Sequence, residues 1–148
     1  MTPAHIIIHH SLSTDQRGDN WSAIKRWHVD HNGWDDIGYH FGTERRGHIY
    51  INRIGRPEHT TGAHTLGLND KSLGWCFVGN YDEAPPAKAM LLAACVPIAQ
   101  LCLTYVIPVD RIEPHNKYAE KSCPGRLFSM HDLRRYVSLA LAELSGGL

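Results

Sequence analysis

In EPHNKYAEKSCPG (residues 113–125), His115 and Cys123 stand eight residues apart, with Lys121 two residues before the thiol. The segment is polar and turn-rich and reads as a loop. Three chemistries are open to it: a metal site, a thiol nucleophile beside its base, or an ordinary surface loop. His9 and His10 close the β-branched run HIIIHH (5–10). Neighbouring side chains on a strand point to opposite faces, so only one of these histidines can address a given site. One of them, with His115 and Cys123, makes three nitrogen and sulfur donors. Three protein ligands with one open position is the pattern of catalytic zinc, whereas a structural zinc site closes with four. Zinc so held supplies the Lewis acidity that amide hydrolysis requires. The spacing alone does not choose, because it lacks the short ligand intervals of a zinc finger. His10, facing away from its neighbour, reads as a packing or supporting residue.

The elements that must position these residues follow from periodicity and punctuation. HIIIHH has the composition of a central strand. SLSTDQRGDN reads as a loop, in which Asp19 or Asn20 can cap a helix over WSAIKRWHVDH (21–31). Trp21, Ile24 and Trp27 are expected near one face of that helix, and Asn32-Gly33 ends it. IGYHFGTERRGHIYINR (37–53) suggests two strands turning at ERRG. GRPEHTTGAHTLGLNDKS (55–72) is a long loop of the kind a small domain seldom carries without use. LGWCFVGN (73–80) is a further strand. A long helix opens after Pro85-Pro86, bends at Pro97 and closes at Pro108. A final amphipathic helix covers 130–144 and SGGL frays. The alternation of strands and helices predicts an α/β fold, a mixed β-sheet flanked by helices, in one domain spanning 1–148.

Bulk composition narrows the partners. The 148 residues carry 15 Lys and Arg against 15 Asp and Glu, so no net field favours nucleic acid or an anionic membrane, and binding must come from a local site. Eleven histidines are a large supply of ligands and of bases near neutral pH. The N-terminus lacks a basic start and a long apolar stretch, so synthesis in the cytoplasm without a signal peptide is expected. Cys95 and Cys102, seven apart on a helix, sit about 10 Å apart along its axis and cannot bridge each other. Cys76 reads as a small buried hydrophobe. The uncharged run 89–109 is long enough to cross a bilayer, but Leu91, Ala94, Cys95, Ile98, Leu101, Cys102 and Tyr105 follow helical spacing, so a buried helix and no membrane insertion are expected. Trp34 and Trp75 can stack on sugars or fill the core.

Four segments resemble, in order, the zinc-dependent N-acetylmuramoyl-L-alanine amidases that include the phage-type lysozymes and the peptidoglycan recognition proteins. IIIHHSLST resembles the family's first strand ending in a ligand histidine. HNGWDDIGYHF resembles its helix exit and tyrosine-bearing strand. GAHTLGLNDKSLGWCFVGNY resembles its Gly-His-Thr loop and next strand, and PHNKYAEKSCPG the loop with the other two ligands. The resemblance implies a peptidoglycan-recognition-protein-like amidase fold in which Zn2+ is held by His9, His115 and Cys123. It implies Tyr39 and Lys121 as catalytic residues. Lys121 aims positive charge at the oxygen that becomes negative during attack. Tyr39, whose ordinary pKa near 10 makes a poor base, is expected to position by hydrogen bonding. His64 is expected to line the groove, with Thr65 and Asn69 as sugar or peptide contacts, and His40 is expected to be structural. Two ligands of one ion on opposite sides of the 89–109 helix also argue against its crossing a membrane.

The activity so implied is hydrolysis of the amide between N-acetylmuramic acid and L-alanine in peptidoglycan. A monomeric endolysin of a phage or prophage, acting on the wall after release, is the leading expectation. A cytosolic muropeptide-recycling amidase and a non-catalytic peptidoglycan receptor are the alternatives. A cysteine hydrolase using Cys123 and His115 is a third.

Overall fold

The computed structural model describes residues 1–13, 21–52 and 60–147. The expected cap at Asp19 or Asn20 and the first part of the 55–72 loop lie outside them. Five strands form one sheet in the order β3-β2-β4-β1-β5: β1 (His5–His10), β2 (Phe41–Thr43), β3 (Ile49–Ile51), β4 (Ser72–Phe77) and β5 (Ile112–Pro114). β1 runs parallel to β4 and β5, and β2 parallel to β4, while β3 turns back antiparallel to β2. The sheet is mixed, as the alternating pattern implies. The triple isoleucine has its cause in this position: a strand paired on both edges and covered on both faces has no polar side, and Ile6, Ile7 and Ile8 are fully buried.

Alternation along the strands assigns the two faces. Ile6 and Ile8 pack with Leu73, Trp75 and Phe77 in the larger core, beneath α2 (Lys88–Tyr105) and α3 (Met130–Gly146). Cys76 points the other way into a smaller core with Trp21, Ile37 and Val78, under α1 (Trp21–Arg26). His9 therefore faces the α1 side and His10 the α2/α3 side. α2 is long and apolar enough to cross a membrane by length and composition. In the fold it runs unbroken through Pro97 and buries Met90, Leu91, Ala94, Cys95, Ile98, Ala99 and Cys102. All four cysteines are free thiols.

Three expectations are corrected. The 113–125 segment does not begin as loop, because Ile112, Glu113 and Pro114 pair with β1. A three-residue edge strand is too short to show a period, and its central charge disguises it. Trp27 does not share the buried face of Trp21: it is 57% exposed. Six residues of α-helix turn the chain through about 600°, which sets Trp27 about 120° round the axis from Trp21. Beyond it, from Trp27 to His31, the helix widens to π geometry, with Asn32 N–H donating to the Trp27 carbonyl at 3.1 Å. SGGL begins as helix, with α3 reaching Gly146 and Gly147 N–H still donating to Glu143 at 3.2 Å.

Candidate metal centre and groove

β1 carries His9 to the end of the sheet on the α1 side, where a parallel sheet presents its carboxyl-terminal strand ends. β5 and the 3-10 turn His115–Lys117 bring His115 beside it, the two rings 4.5 Å apart between centroids. The loop then folds back on itself, Asn116 N–H donating to the Cys123 carbonyl at 2.7 Å, so both loop residues return to one point. One donor atom from each of His9, His115 and Cys123 lies within 4.8 Å of the others. Of the two histidines ending β1, the one on the α1 side joins this cluster. His10 supports it: its backbone N–H donates to Cys123 Sγ at 3.4 Å and its Nδ1 accepts the Tyr81 N–H at 3.2 Å.

The return loop is latched from β4's exit. Asp82 accepts from Ser122 Oγ at 2.6 Å and from Arg126 N–H at 2.9 Å, and Leu127 N–H donates to the Tyr81 carbonyl at 2.9 Å. Gly125, at φ +114°, lies where a Cβ would stand 2.5 Å from the Tyr81 backbone, so only glycine lets the loop lie this close. Asp82 escaped the sequence reading. Its one signal was an acidic residue in the turn five positions past the end of β4.

The donor set fits a metal ion. Two zinc ligands with bonds of about 2.1 and 2.3 Å at a tetrahedral angle stand about 3.6 Å apart, and His9 Nδ1 lies 3.7 Å from Cys123 Sγ. Burial, together with the neighbouring His64 and His115, pushes His9 well below the ordinary histidine value. Burial and Lys121 likewise lower His115. Both rings are thereby kept neutral, the form that ligates. Burial pushes the Cys123 thiol up to about 11, against the opposing pull of the His10 N–H and Lys121. Such a thiol is protonated alone and loses its proton outright to a coordinated cation.

The cluster opens into a cavity of about 1140 Å³. Tyr39, His64 and Lys121 line it with the three donors, and Trp27 and Trp34 form part of its rim. Tyr39 stands 5.1 Å from the His9 ring between centroids. Its burial, with the nearby Cys76 and Cys123 sulfurs, pushes the phenol well above its ordinary value, so it remains a hydrogen-bond donor. Thr65 and Asn69 do not line the cavity. Asn69 Oδ1 accepts the backbone N–H groups of His64 and Thr65, each at 2.8 Å, and Thr65 Oγ1 lies 3.0 Å from His64 Nδ1. Both residues hold His64 from behind. His40 is occupied structurally, its Nε2 lying 2.6 Å from the Thr60 carbonyl and its Nδ1 accepting the Gly74 N–H at 3.0 Å. Trp75 is wholly buried.

A cluster of three donors, two buried and one half-buried, at the mouth of a groove on a mixed sheet flanked by helices is an arrangement that suits a metal-dependent hydrolase. Comparison with known proteins gives that class its family. Residues 1–126 match the N-acetylmuramoyl-L-alanine amidase family, and the chain belongs to it. It is 35% identical over 108 residues to human N-acetylmuramoyl-L-alanine amidase, covering 72% of this chain and 18% of that protein. The chain thus spans under a fifth of that relative's length. To the endolysin of Escherichia phage T7 it is 30% identical, covering 88% of this chain and 83% of that one. Among solved structures, the N-acetylmuramoyl-L-alanine amidase LysC from Clostridium intestinale superposes with a TM-score of 0.79 at 26% identity, over 93% of this chain and 86% of that one.

Proposed function

We propose that this protein is a zinc-dependent amidase that hydrolyses the bond between N-acetylmuramic acid and L-alanine in peptidoglycan. The observation that carries the reading is the convergence of His9, His115 and Cys123 at one end of an open groove. Zinc held by these residues supplies Lewis acidity to a water and to the scissile carbonyl. The chain's own groups do the rest. Lys121 offers its ammonium to the oxygen that gains charge during attack. Tyr39, kept protonated, donates a hydrogen bond that orients the carbonyl. The two rim tryptophans offer apolar faces to a glycan or stem peptide. His64 reads as a support for His9, and Thr65 and Asn69 as its frame.

The similarity to the phage T7 endolysin over 88% of this chain favours an endolysin, which meets peptidoglycan once released from the cytoplasm. A thiol nucleophile is disfavoured, because reactive cysteines have lowered pKa values and burial pushes Cys123 up. Digestion of purified sacculi tests the reading. New L-alanine amino termini without new reducing sugars, abolished by a chelator and restored by zinc, are the expected products. Wall binding without release of peptide points to a receptor, and activity indifferent to chelation to the cysteine enzyme.

A further inference from the structure

The side of His9 that faces away from the other two donors has a partner of its own. His9 Nδ1 is turned to Cys123, while His9 Nε2 lies 3.0 Å from His64 Nδ1. A ligand nitrogen must be bare, and a neutral imidazole holds one proton, so metal at Nδ1 requires that proton on Nε2. Nε2–H then needs an acceptor. Thr65 Oγ1 is 3.4 Å from it and 3.0 Å from the same His64 Nδ1. Its hydroxyl turns to suit either tautomer, so it follows the choice and does not make it.

From this geometry we infer that His64 is a positioning residue that supports the metal-competent tautomer of His9 by accepting its Nε2–H at Nδ1. It presents a bare Nδ1 and keeps its own proton on Nε2. The opposite arrangement, with His64 Nδ1–H donating, places a proton on His9 Nδ1 in the path of the ion. The pair therefore has two self-consistent states, and only one accepts metal. The fold holds the ring in place for this task. A Cβ on Gly62 would sit 2.6 Å from the His64 ring, and one on Gly74 equally close, so the imidazole occupies space that two glycines leave open. Asn69 pins the backbone on which the ring stands. A ligand histidine's other N–H most often meets a carboxylate, carbonyl or water; here a neutral ring takes that place.

This inference rests on the proposed zinc site, and the experiment separates the two. Zinc affinity is measured by competition with a chelating dye for the wild type, His64→Phe and His64→Asn. Phenylalanine fills the glycine-lined space without an acceptor, and asparagine restores an oxygen near the position of Nδ1. Wild type is expected to bind zinc tightly, His64→Phe about 10- to 100-fold more weakly, and His64→Asn close to wild type. Wild type that binds no zinc overturns the site itself. Tight wild-type binding with His64→Phe within twofold of it overturns the tautomer role alone. Long-range 1H–15N correlation on zinc-loaded wild type reads the same point where the phenylalanine variant does not fold. Protonation of His64 at Nε2 is expected, and at Nδ1 overturns the inference.

Discussion

Strand β1 sets a histidine near each end of the face that looks toward α1, His5 and His9, about 13 Å apart along the strand. The two ends use that residue differently. At the first, His5 Nδ1 lies 2.7 Å from Glu113 Oε2, and the same carboxylate takes Lys117 at 2.5 Å and the Tyr118 hydroxyl at 2.6 Å. At the second, His9 is surrounded by His64, His115, Tyr39 and Cys123. Among the described residues lining the groove no carboxylate appears. Where the acid is present it collects hydrogen bonds and locks β5 to β1. Where it is absent, neutral donors are left facing one another, an arrangement that a cation would complete. The buried acid nearest in sequence to the ligand loop is thus committed at the structural end. In the proposed mechanism a general base must come from elsewhere, and the polarising work would fall to the ion, Lys121 and Tyr39.

The comparison is broken most severely at the donor end. Cys123→Ser exchanges a thiolate for a weak alcohol ligand and is expected to abolish both bound zinc and turnover, read by metal analysis and sacculus digestion. Near-stoichiometric zinc in that variant removes Cys123 from the site. Lys121→Ala is expected to keep zinc and to lose roughly a hundredfold in turnover, the scale of one oxyanion donor. Unchanged turnover removes it from the mechanism. Tyr39→Phe is a smaller change, about tenfold in turnover. Because burial raises the phenol above the working range, the pH profile of that variant is expected to keep its shape. A lost basic limb contradicts Tyr39 as a permanently protonated donor.

How far the sequence foretold these two ends depends on the range of the signals. Strand periodicity, the Asn32-Gly33 stop and the apolar spacing of α2 are local, and each element stands where its pattern puts it. The donor triad is not local: eight residues between His115 and Cys123 meant little until the order of four segments suggested a family and β1 supplied His9. What stayed hidden lies in side-chain partnerships and in the angular position of single residues. Glu113 looked like a loop acid because its three partners come from β1 and the following turn. Asn69 looked like a substrate contact because the two backbone N–H groups it accepts are invisible in a residue list. Trp27 looked to share the face of Trp21 and Ile24, but six α-helical residues carry it about 120° away from Trp21.

The mildest test for catalysis falls on the structural end and sharpens the contrast. Burial alone would push the Glu113 carboxyl up, but hydrogen bonds from Lys117, Tyr118 and His5 outweigh it and hold the group down at about 2, from an ordinary 4.5. A carboxyl depressed in the folded state contributes stability that is present above its unfolded value and lost as pH falls through the folded one. Glu113→Gln is therefore expected to be less stable than wild type at pH 7 by about 2 kcal/mol. That gap should narrow as pH drops from about 4.5 towards 2, where wild type loses the same contribution. Urea unfolding of metal-free wild type and variant across that range, where the ligands would release zinc in any case, checks the sign. Zinc binding and turnover are expected to change less than about threefold, because none of the three residues that contact Glu113 is itself a donor of the metal cluster. A variant equally stable at pH 7 makes the carboxylate cluster incidental. One that loses zinc as readily as Cys123→Ser means that β5 docking and metal binding are a single event and that the two ends of β1 are not independent.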